Sequence, residues 1–154
     1  MGMRTWPLAI TVKLFLLLGS SLICLLLLVC GCGFAWEGLD YEEDLTADYA
    51  VWAIDSSHTD TMLVKKVGGS GGSGVVWPMV FAYGWNEDFI IVKQHPEIDH
   101  WGHIDTTTTN WFIIRVKTGE VYGPLTEPEY IELRRKLGIP RELDFSRTIE
   151  YRLK

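Results

Sequence analysis

Gly84-Trp-Asn-Glu-Asp-Phe-Ile-Ile-Val-Lys-Gln94 is the stretch on which the fold turns. Its first four residues favour a turn, and Asp88–Gln94 is a short apolar, β-branched run of strand length. Val75-Val-Trp-Pro-Met-Val-Phe-Ala-Tyr83 lies just before it and has the same character, so the two predict an antiparallel hairpin. Pro78 has no amide proton to donate, which predicts an edge or bulged strand for residues 75–83.

The same grammar recurs outward in both directions. Upstream, Asp48–Asp55 and Thr61–Val67 flank the turn cluster Ser56-Ser-His-Thr-Asp60 and read as a second hairpin. Gly68-Gly-Ser-Gly-Gly-Ser-Gly74 lacks the Lys and Ser/Thr of a phosphate-binding loop and enters no helix, so it reads as a flexible solvent loop. Downstream, Asn110–Lys117 and Glu120–Gly123 meet at Thr118-Gly119 and form a third hairpin. Helical signals begin after Pro124. Thr126 and Glu129 have the spacing of a capping box, Pro128 falls in the first turn, and Gly138 with Pro140 ends the element. Tyr130, Ile131, Leu133 and Leu137 are expected inward, with Glu132, Arg134, Arg135 and Lys136 facing water. Asp144–Lys154 is read as a last strand at the sheet edge. The fold class is therefore α+β, a small antiparallel β-sheet of roughly five to seven strands with one C-terminal helix packed on it.

The N-terminus has a different composition. Arg4 and Lys13 precede Leu14–Val29, 16 residues without a charge, and Gly31-Cys32 follows. A basic start, an apolar middle and a small residue before a cut define an export signal. The run is near the top of the signal range and just under the roughly 17 residues a spanning helix needs. Val29-Cys30-Gly31-Cys32 resembles the lipobox of bacterial lipoproteins, which points to Cys32 as the acylated residue. Buried acyl chains would then hold the protein to the membrane. The alternative is an uncleaved anchor, a single-pass membrane protein with its N-terminus inside. Either way the basic end stays inside and the acidic Glu37–Asp44 stretch lies outside. The expected division is residues 1–31 as signal or anchor helix, 32–47 as acidic tether and 48–154 as an extracytoplasmic domain.

All 20 acidic residues follow Cys32 while two of the 14 basic ones precede it, so the exported part carries 12 cations against 20 anions, a net −8. That sign argues against a nucleic-acid partner, whose phosphates require clustered Lys and Arg. The positive mean hydropathy of +0.10 comes from the N-terminal run. Cys24, Cys30 and Cys32 all lie in or beside that run. The domain therefore has no cysteine for a disulfide, a thiol nucleophile or a Cys-type zinc site.

Three motifs together carry a family likeness: Gly84–Pro96, Trp111-Phe-Ile-Ile114 with Thr118–Glu127, and Leu137-Gly-Ile-Pro140. Over about Tyr49 to Pro140 the chain resembles a family of small bacterial lipoproteins classed as a domain of unknown function. The resemblance implies an exported lipoprotein without assigned activity, and it assigns no functional residue.

The densest chemistry lies in His95-Pro-Glu-Ile-Asp-His-Trp-Gly-His-Ile-Asp105. Imidazole and carboxylate donors together suit a divalent transition metal, with His95, Asp99, His100 and His103 as the candidate ligands. The spacing matches no zinc motif, and a solvated polar loop has the same composition. Ser56, Ser57 and His58 are too close in sequence to converge as a triad. Glu87, Asp88, Asp99 and Asp105 supply carboxylates for a hydrolytic pair whose separation sequence does not give. With no complete catalytic constellation and no required cofactor, the expectation is a binding or interaction module at the cell envelope, for an envelope protein or small ligand, rather than an enzyme. Trp52, Trp77 and Trp111 are expected in the core, and Trp85 and Trp101 at the surface as contact residues.

Overall fold

The computed structural model describes residues 39–68, 71–99 and 103–152. The N-terminal segment with Cys32, and His100 and Trp101 of the histidine loop, lie outside them.

Among the described residues nine strands and one helix follow in order: β1 Tyr41–Asp44, β2 Tyr49–Ala53, β3 Met62–Val67, β4 Gly71–Val76, β5 Val80–Trp85, β6 Phe89–Gln94, β7 Asn110–Arg115, β8 Glu120–Leu125, α1 Glu127–Lys136 and β9 Arg147–Thr148. They form two antiparallel sheets rather than one. Sheet A has the order β1-β2-β3-β4, and sheet B the order β8-β7-β6-β5-β9. The expected hairpins β2–β3, β5–β6 and β7–β8 are all present. Their turns form for local reasons. Asn86 Oδ1 accepts the amides of Asp88 and Phe89 at 2.9 and 2.8 Å, and Gly119 takes φ +71° at the β7–β8 turn.

The division into two sheets comes from residues 75–83, which do not make one strand. The chain leaves sheet A at Trp77-Pro78 and enters sheet B at Val80. Pro78 cannot extend a ladder, so the break falls at the residue that lacks the donor. Sheet A packs on sheet B through Tyr49, Val51, Leu63, Val76, Val80, Tyr83, Ile90, Val92, Phe112, Ile114 and Ile149. The opposite face of sheet B is covered by α1 and the segment after it, which bury Ile91, Ile113, Tyr130, Ile139 and Leu143. Alternation along β6 and β7 therefore feeds two cores, which explains their nearly continuous apolar runs.

Two stretches expected to lack structure are strands. Tyr41–Asp44, within the acidic tether, is β1, paired from Tyr41↔Ala53 to Asp44↔Ala50. Lys66 of β3 bridges its carboxylates, contacting Glu42 at 2.7 Å and also Asp44. The glycine-rich loop enters β4, which pairs with β3 from Val67↔Gly71 to Leu63↔Val76.

The helix forms as expected, with Glu129 accepting the Thr126 amide at 2.8 Å and its hydroxyl at 2.7 Å. Gly138 follows at φ +69°. One face assignment is corrected. Ile131 is 59 % exposed, because the inward stripe is Tyr130, Leu133 and Leu137, with Arg134 between them. The Arg134 guanidinium donates to the Tyr130 hydroxyl at 3.1 Å and to the carbonyls of Pro140 and Leu143, tying the post-helix segment to α1.

Candidate functional site

The histidine loop does not converge on one point within the described residues. His95 is buried, its ring stacked on Phe81 at 4.2 Å and edge-on to Tyr151, and its Nδ1–H donates to the Thr108 carbonyl at 2.7 Å. His103 is exposed and pairs with Asp99 at 2.7 Å; that hydrogen bond and charge raise its pKa above the ordinary histidine value. Asp105 turns back on its own loop. The Thr107 and Thr108 donors hold its pKa down to about 2. Among the described residues no group of three His, Cys, Asp or Glu side chains could hold a metal ion.

The other candidates from sequence are likewise dispersed. Ser57 donates to Asp55 at 2.5 Å, whereas His58 points away to the Glu150 carbonyl and to Asp40, each at 3.1 Å. Asp88 pairs with Lys117 at 2.7 Å, and Glu87 is exposed. Trp85 is half-buried, stacked beside Tyr83 with the Arg147 guanidinium 5.8 Å from its ring centre. It also lines a shallow groove of about 310 Å³ with Asn86, Pro140, Glu142, Leu143, Asp144 and Ser146. Gly84, next to it, has its back against the Asp144 carbonyl, so any side chain there would drive the groove's far wall away.

Sequence reading missed a polar cluster between the sheets. Glu43 of β1 accepts from Tyr83, from Tyr41 at 2.8 Å and from Arg147 at 2.9 Å, and the two tyrosine hydroxyls lie 2.7 Å apart. Burial raises the Glu43 pKa, but the Tyr83, Tyr41 and Arg147 donors outweigh it, leaving the carboxyl below its ordinary value. Tyr83 is fully buried, and burial followed by the Glu43 carboxylate pushes its hydroxyl far up. The cluster is an inter-sheet clamp with every oxygen engaged.

The outer face of sheet A differs. Gly72 and Gly74 of β4 point to the same side, two residues apart, and each has an indole ring where its side chain would be. The Trp52 ring lies 2.7 Å from the Cβ position of Gly72, and the Trp77 ring 3.1 Å from that of Gly74. Trp52 is half-buried and anchored by its Nε1–H to Glu42 at 3.2 Å. Trp77 was expected in the core, yet it is 65 % exposed. Trp111 is half-buried under Lys93, whose Nζ lies 4.2 Å from the ring centre. The signal available in sequence was the coincidence of a glycine run with Trp77 immediately after it. Reading the glycines only as flexibility concealed that they make room for rings.

Among the described residues, sheet order, burial and these contacts define a two-sheet antiparallel β domain backed on one side by the helix α1, with an aromatic surface on the other. Residues 46–150 match the family described as Protein of unknown function (DUF3997), and the chain belongs to that family. No curated protein and no solved structure matches the chain.

Proposed function

We propose that this protein is a lipoprotein attached through Cys32 to the extracytoplasmic face of the cell membrane, where it acts as a binding module of the envelope through the Trp52–Trp77 face of sheet A. The exposed Trp77 ring carries the binding half of the reading. A tryptophan held on the surface beside a second indole forgoes the burial that drives folding, and such surfaces mark contact sites. The Val29-Cys30-Gly31-Cys32 stretch and the acidic charge confined to the residues after it support the anchoring half. This reading assigns no catalytic residue and requires no cofactor.

Each half has its own test. Intact mass of the protein extracted from membranes should fit a chain beginning at Cys32 plus acyl groups, and Cys32→Ala should abolish that species. A mass equal to the full uncleaved chain would replace the lipid by a membrane-spanning helix. For the binding half, a photo-reactive residue at position 77 should cross-link to a defined product in intact cells. Absence of any product, with the protein folded and at the membrane, would remove this face from consideration.

A further inference from the structure

Two open sheets have four edges, and an unpaired edge is a template for another strand, which proteins block with charge, proline, shortness or cover. Three of the four edges here are blocked. β1 carries Glu42, Glu43 and Asp44 along its whole length. β8 begins with Glu120 and includes Pro124, which has no amide to offer. β9 is two residues long, and its Arg147 is held by Glu43.

The fourth edge is β4, and among the described residues it has none of these devices. Gly71-Gly-Ser-Gly-Val-Val76 is six residues long, without a charge or a proline, and exposed over its first half. Large apolar side chains stand exposed near both its ends: Val67 opposite Gly71 on β3, and Trp77 immediately after Val76. An edge of small side chains also lets a second backbone approach closely and gives it little to clash with.

We propose that β4 pairs antiparallel with β4 of a second copy of this chain, joining two four-stranded sheets into one across a two-fold axis. Self-complementarity favours a second copy over an unrelated strand. β4 has no charge to repel itself, although the domain around it is strongly acidic, so this edge is where two such domains meet with least repulsion. Antiparallel pairing also reverses the strand ends. Each exposed Trp77, which lies on the outer face against Gly74, is then carried along that same face towards the partner's Gly72 and the Trp52 ring over it, so that indoles of the two copies cover one another. The inference rests on the membrane-anchored binding-module reading, because anchoring raises the local concentration at which a six-residue strand pairing persists.

The experiment uses the full-length protein in its membrane, with a photo-reactive side chain in place of Gly71, which stands at the start of the pairing strand and has room for it. Cross-linked dimer whose joined peptides contain position 71 of one copy and the Val75-Val76-Trp77 end of β4 of the other is the expected product. Ser73→Lys and Ser73→Glu, each alone, should lower that product roughly tenfold by placing like charges at the centre of the pairing, and co-expression of the two should restore it. Circular dichroism of the purified full-length variants confirms that each remains folded. Dimer unaffected by either charge would overturn the proposal, since the copies would be meeting elsewhere. No dimer at all, or product only with a different protein, would also overturn it. The binding-module reading stands or falls separately, on whether position 77 also joins a molecule other than this chain.

Discussion

Among the described residues, sheet B is covered on both faces, by sheet A on one side and by α1 with its following segment on the other, whereas sheet A is covered on one face only. The consequences are visible in composition. β6 and β7 are largely apolar and their middle residues are inaccessible to water, while sheet A presents Glu42, Asp44, Lys66, Trp52 and Trp77 outward. Glycine differs in the same way between them. In sheet B, Gly84 makes room for backbone, the Asp144 carbonyl; in sheet A, Gly72 and Gly74 make room for side chains. A twice-covered sheet provides stability and a once-covered sheet leaves a surface free for contact, so substitutions in the two should differ in kind.

The largest effect is expected at Gly84→Ala. Its Cβ would collide with a backbone carbonyl that no rotamer change can move, so denaturant unfolding should show a loss of about 3 kcal/mol. A loss well under 1 kcal/mol would mean that residues 139–145 are not firmly seated on sheet B. Ile113→Ala, in the core under α1, should cost about 3 kcal/mol or somewhat less, whereas Trp77→Ala should stay within about 0.5 kcal/mol. Equal losses at the two positions would abolish the contrast between the sheets.

Glu43→Gln tests the clamp that joins the sheets and should cost about 2 kcal/mol at neutral pH, the scale of hydrogen bonds to an ionised group. The pH dependence has a definite sign. The folded pKa of Glu43 lies below its ordinary value of 4.5, so its contribution is present above that value and is lost as pH falls through the folded pKa. The difference between wild type and Glu43→Gln should therefore be full at pH 7 and shrink below pH 4.5. A difference independent of pH would mean the ionised carboxylate is not what holds β1. The smallest of the backbone-space effects belongs to Gly72→Ala, about 1 kcal/mol or less, because the Trp52 ring it meets is the far end of a side chain that can swing. Its readout is the Trp52 part of the emission, taken as the difference from Trp52→Phe because the chain has seven tryptophans, and a difference spectrum unchanged by Gly72→Ala would show that the ring does not lie over β4.

The elements legible in sequence were those built by neighbours. Asn86 closes its own turn, Thr126 and Glu129 cap their own helix, and Gly119 and Gly138 meet local requirements for positive φ. β1 and β4 were illegible because an acidic tetrapeptide and a glycine run carry no apolar, β-branched strand pattern of their own. An acidic tetrapeptide becomes a strand through Lys66 and through Arg147, the latter 104 residues away from Glu43. A glycine run becomes a strand because β3 and two indoles lie against it. Composition shows which residues the histidine loop holds and not where they point. His95 turns into the protein against Phe81, while His103 turns to Asp99.

The sequence alone determined the hairpins, the helix with both its ends, the concentration of acid after Cys32 and the membership of an uncharacterised family, because each depends on short-range pattern or on likeness over a long stretch. Tertiary structure alone decided that there are two sheets, that the tether contains a strand, and that Trp77 stays in water while Trp85 lies at the core edge. The physical reason is that a strand's faces acquire meaning only from what packs on them. Alternation marks two sides, and only the assembled layers say which side meets water.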